Sequence, residues 1–162
     1  MKKPKFSLAD YKTPEIVTLI KGKNHKVLAV WAIECALRVL PYFEKEYSHD
    51  KRPRIALETL QQWIDTGEFK MSVIRKASLD SHAAAKEIGN DSPAASAAHA
   101  AGQAVATAHV PLHALGSANY ALQALYIDAN AEDVATILKN ERAWQLERLR
   151  GLEGDGVPNL KV

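Results

Sequence analysis

From Pro93 to Ile127 the chain runs through thirty-five residues without one Asp, Glu, Lys or Arg. A segment this long and this free of charge must cross a membrane, hold a ligand, or form the packed centre of a soluble domain. A membrane span needs about 20 residues dominated by Leu, Ile, Val and Phe. This segment is dominated by alanine, carries Ser, Thr, His, Asn and Gln, and has Pro111 near its middle. The membrane reading is therefore set aside. Ala94, Ala97, Ala101, Ala104 and Ala108 recur at spacings of 3, 4, 3 and 4, which lines their methyl groups along one helix face. Gly102 lies on an adjacent row. Gly116, Ala118, Ala121 and Ala124 give the following helix a small face as well. Two close-packed central helices, 94–108 and 112–127, explain these residues without any ligand.

The rest of the chain reads as helices around that pair. Thr13, Pro14 and Glu15 form a helix start, and that helix stops by Gly22. Asn24 caps an almost uniformly apolar stretch from His25 to Tyr47, which Pro41 should kink or end near Leu40. Asp50 caps a third helix, with Pro53 in its first turn and Gly67 at its end. A fourth runs from about Phe69 to Ile88 and closes at Gly89. Ser92 and Pro93 open the fifth, and Pro111 separates it from a sixth that ends near Ala129. Asn130 and Asp133 resemble a capping box for the seventh, with Arg148 and Arg150 at its negative end. No long strand pattern appears. The expectation is an all-α bundle of six or seven helices with a small-residue central pair: one helical domain over 1–150 and an irregular tail over 151–162.

Length and charge narrow the function. A chain of 162 residues can bury a sizeable core, and a net charge of +2 is too mild to argue for nucleic acid. Cys35 is the only cysteine, so no intrachain disulfide forms; it lies in an apolar helix pattern where thiols are inert. The N-terminal residues lack the apolar run of a secretory signal. A cytoplasmic location follows as the expectation.

Two groups of polar residues stand out. His99, Gly102, Ala106 and His109 fall on one helical row, and His113 follows His109 at i+4. That spacing is half of a zinc motif, but the glutamate of the HExxH pattern is missing and Pro111 interrupts the helix. The favoured reading makes His109 and His113 buried or half-buried hydrogen-bonding residues. Their partners would be Tyr120, Thr107 or carbonyls freed by Pro111. His82, His99, Thr107, His109, His113 and Tyr120 are the candidate polar network; no metal and no cofactor is expected. Lys51, Arg52 and Arg54 sit at a helix N-terminus, where the dipole disfavours cations. Either Asp50, Glu44 or Glu46 neutralises them, or they form a basic patch for an acidic partner or phosphate. Trp31, Trp63 and Trp144 read as core or interface anchors.

The series VLAVWAIECALRVLPYFE, DKRPRIALETLQQW, SHAAAKE and AAGQAVATAHVPLHALGSANYALQA resembles a family described as putative immunity proteins of bacterial polymorphic toxin systems. The resemblance spans residues 25–127, and the ATAHV stretch is its most specific part. It implies an all-helical domain that binds and neutralises a cognate toxin, with no reaction of its own. It assigns no toxin-contact residues. Two other readings stand beside it. One is a metal-dependent helical enzyme using His82, His99, His109 and His113; the other is a nucleic-acid accessory protein using residues 51–54. A homo-oligomer is compatible with each.

Overall fold

The computed structural model describes residues 1–153 and is all-α. After a 3-10 turn at Leu8–Tyr11 come α1 (Pro14–Lys21), α2 (His25–Leu37), α3 (Leu40–Glu46) and α4 (Arg52–Thr66). Then follow α5 (Met71–Ile88), α6 (Pro93–Ala106), α7 (His113–Asp128) and α8 (Val134–Gly151). The described residues hold eight α-helices and no strand, one helix more than the upper expectation. The extra one arises at Pro41, the second residue of α3. Proline cannot donate to the carbonyl four residues back, so α2 ends at Leu37 and the chain restarts at Leu40. Gly151, expected in the tail, instead closes α8, and Leu152 is buried beside it. Residues 154–162 of that tail lie outside the described residues.

Local signals act where they stand in the sequence. The Thr13 hydroxyl accepts the Ile16 N–H at 3.4 Å, and the Asn24 side chain accepts the Val27 N–H at 2.8 Å. The Ser92 hydroxyl accepts the Ala94 N–H at 3.1 Å, with Pro93 opening α6. Gly67 ends α4 with φ of 71°, a left-handed conformation that glycine adopts at no steric cost.

Helix α6 is the axis of the bundle. It packs against α2, α3, α4, α5 and α7. Ala94, Ala97, Ala101, Ala104 and Ala108 are all buried, as are Ala118, Ala121 and Ala124 on α7. Small side chains bring the backbones close enough for hydroxyls to cross between helices. Ser81 Oγ donates to the Ala98 carbonyl at 2.7 Å, and Ser117 Oγ to the Ala32 carbonyl at 2.8 Å. Helix α2 is buried nearly all round, and its Trp31 donates Nε1–H to the Gln145 carbonyl of α8 at 2.8 Å.

Candidate functional site

The half-buried face of α6 turns polar. Ser96, His99 and Gln103 follow one another at helical spacing there, flanked by His82 of α5 and by His113, Tyr120 and Gln123 of α7. The His82 and His99 rings meet through Nδ1 atoms 2.6 Å apart, and the His99 ring stacks on Tyr120 at 4.9 Å between centroids. One Nδ1 of the histidine pair carries the proton and the other accepts it, so at least the accepting ring is neutral. Two imidazoles on one tetrahedral zinc, at ~2.0–2.1 Å each, would hold their ligand nitrogens about 3.3 Å apart. The observed contact is a hydrogen bond. Gln123 Nε2 donates to Ser96 Oγ at 3.1 Å, and His113 Nδ1 donates to Gln103 Oε1 at 2.8 Å.

Two glycines make room for these side chains. A Cβ on Gly102 would stand 2.7 Å from His82 Nε2, and one on Gly116 would stand 2.5 Å from Gln103 Oε1. Their role is thus to receive a ring and an amide, rather than to let bare helix backbones meet. Gly102→Ala should gain about 1 kcal/mol of helix propensity but overpack by about 1–3 kcal/mol. A net loss near 1 kcal/mol in urea melts is expected. Gly116→Ala should cost less, since the far end of a glutamine moves more easily than a packed ring. A stabilised Gly102→Ala variant would mean the ring is free to swing away.

Burial depresses the imidazoles. His82 is pushed down to about 4 from an ordinary 6.5, first by desolvation and then by His99, Lys86 and His113. Desolvation lowers His99 and His113 too. Between about pH 6.5 and about 4 the unfolded chain binds protons that folded His82 refuses. Its neutral-state stability is therefore whole above the unfolded value and is lost as pH falls through that window. Urea midpoints for wild type should drop across this range, and His82→Gln should flatten the drop. An identical slope in the variant would contradict this.

The six residues named from sequence do not form one network. His82, His99 and Tyr120 come together; His113 turns to Gln103 instead of Tyr120 or Thr107. Thr107 is buried, its hydroxyl near the Gln103 carbonyl at 3.4 Å and its own carbonyl bonded to the His25 ring. The expectation for His109 fails. It is exposed, makes no side-chain hydrogen bond among the described residues, and stacks on Phe69 at 6.3 Å between centroids. The cause is the helix end. Helix α6 stops at Ala106, five residues before Pro111, so His109 leaves the row that begins at His99. The Ala106 carbonyl accepts the backbone N–H groups of His109 and Val110, each at 3.0 Å. His25 and Gln103 were missed because their partners, the Thr107 carbonyl and His113 of α7, lie on other segments that sequence alone does not bring alongside.

At the start of α4, Arg52 bonds Asp50 and Glu87, each at 2.6 Å, and Arg54 bonds Glu44 at 2.6 Å. These guanidinium groups hold the carboxyls of Asp50, Glu44 and Glu87 below the usual range. Glu87 is the carboxylate that sequence reasoning did not name, and Glu46 takes no part. Lys51 is exposed and unpaired among the described residues. Further arginines bind α8 to the bundle. Arg38 meets Glu141 at 2.6 Å and lies 3.9 Å over the Trp144 ring; Arg148 meets Glu34 at 2.6 Å.

Among the described residues no three His, Cys, Asp or Glu side chains are grouped to hold a metal ion, and no helix is long and apolar enough to cross a membrane. The class so defined is an all-α bundle built on an alanine-packed axis, with four of its six histidines and six of its seven arginines bonded within the framework among the described residues. Residues 18–152 match the family model described as "Imm-5 like putative immunity protein", and the chain belongs to that family. No curated protein and no solved structure matches it.

Proposed function

We propose that the protein is a bacterial, cytoplasmic immunity protein of a polymorphic toxin system, which binds and neutralises a cognate toxin without catalysing a reaction. The observation that carries this reading is the family match over residues 18–152. The site geometry supports it. His82 and His99 face each other, His113 faces Gln103, and Thr107 faces His25, so these groups bond within the framework. A nucleophile or general base needs a partner poised toward substrate; the polar side chains on this half-buried face of α6 are bonded to one another and to side chains of α5 and α7.

Co-expression with the products of neighbouring reading frames tests the reading. One of them should arrest growth alone, be tolerated with this chain present, and co-purify with it. Failure of every frame to give both rescue and a complex would contradict it. Purified protein should also melt at the same temperature with and without chelator; bound stoichiometric zinc and a large chelator-induced loss would favour the metal-dependent alternative.

A further inference from the structure

The arginines divide unequally. Of the seven in the chain, Arg38, Arg52, Arg54, Arg148 and Arg150 hold carboxylates, and buried Arg142 holds Asn119 and Gln145. Arg75 alone bonds nothing among the described residues. It stands on the outer face of α5, at the rim of a trough of about 240 Å³ whose other walls are Met71, Ile74, Ser78, Leu79, Ala106 and His109. The Ser78 hydroxyl is already bonded to the Gly102 carbonyl at 2.9 Å. Arg75 is thus the only charged group of an otherwise largely apolar trough, and no carboxylate lines it.

The apolar surface around it is unusually open. Leu79 is 60% exposed and Phe69 46%, with His109 stacked on Phe69. The neighbouring charges do not neutralise Arg75. Asp80 is tied to Lys76 at 2.5 Å, and α6 and α7 carry no acidic residue before Asp128. Interface centres favour arginine and aromatic side chains in apolar surroundings.

We infer that this α5–α6 face, centred on Arg75 and Leu79, is the docking surface for a protein segment that places a carboxylate beside an apolar side chain. The inference rests on the proposed function, since the segment is assigned to the cognate toxin. Arg75 supplies a fork of donors suited to a carboxylate, and the trough takes the adjoining apolar group. Nucleic acid fits less well. It is held by rows of cations against successive phosphates, whereas here apolar walls surround one unpaired arginine.

The test uses the full chain and the growth-arresting product of the neighbouring reading frame as probe. Arg75→Glu and Leu79→Asp are compared with wild type and with Lys139→Glu on α8. These positions are exposed, so all variants should melt with wild type, which separates docking from folding. Arg75→Glu and Leu79→Asp should each weaken the complex roughly 30-fold or more and abolish growth rescue, while Lys139→Glu changes neither. Reversing the contacting toxin carboxylate to Lys should restore binding to Arg75→Glu. Undiminished binding by both face variants would place the toxin elsewhere and overturn the inference while leaving neutralisation intact. If wild type itself neither binds nor rescues, the functional reading fails and this surface loses its partner. Dimerisation of the free chain that Leu79→Asp abolishes would make the face a self-interface. Capture of a fluorescent single-stranded oligonucleotide that Arg75→Glu abolishes would give the face to nucleic acid. Either result overturns the assignment.

Discussion

Trp31→Ala should remove about 3–5 kcal/mol of stability, a large part of the ~5–15 kcal/mol that holds a typical domain folded. Trp31 lies at the centre of α2, fully buried, where every turn of the helix touches core. Deleting the indole leaves a cavity that alanine-rich neighbours have no side chains to fill. It also removes the Nε1–H donated to the Gln145 carbonyl at 2.8 Å, one of the bonds joining α2 to α8. Trp31→Phe separates the two effects. It keeps most of the volume and should lose little more than the hydrogen bond and some packing, roughly 1–2 kcal/mol. Urea titrations give both values. A loss below about 1 kcal/mol for Trp31→Ala would mean that the site collapses freely and is no anchor.

Ala101→Leu should be the next most damaging change. Ala101 and Ala104 are both completely buried on the axis helix α6. Added methylenes there meet helices on several sides, since α6 touches α2, α3, α4, α5 and α7. Each single replacement should cost about 1–3 kcal/mol, and the double variant more than either. Ala→Leu leaves helix propensity almost unchanged, so the loss reports packing. Thermal melts that leave both single variants at the wild-type midpoint would contradict the buried placement of this stripe.

The central helices were legible because close helix packing writes itself into residue size at 3-4 spacing. Ala94 through Ala108 announce their buried face without reference to any other segment, and caps such as Thr13, Asn24 and Ser92 act within a few residues of where they stand. What was not legible depends on encounters between distant segments. Arg52 reaches Glu87, thirty-five residues away, because α4 and α5 lie side by side. Gly102 reads as a close-approach residue, yet its neighbour is the His82 ring from α5. His109 seemed to share a row with His99 only while α6 was taken to run up to Pro111; once the helix stops at Ala106 the periodicity no longer applies. His25 carried no signal at all, since its partner is a carbonyl exposed by that same helix end. The polar site is therefore harder to read than the core: core positions obey one periodicity, whereas polar pairs need two segments in register.

Titrating purified toxin domain with purified protein tests the central claim most directly. An immunity protein that acts by binding should reduce toxin activity in proportion to the amount added and extinguish it at a fixed stoichiometry, with the complex isolable by size exclusion. Far smaller amounts that silence an excess of toxin over time would reveal catalysis. Full toxin activity in the presence of excess protein, with no complex formed, would contradict neutralisation altogether.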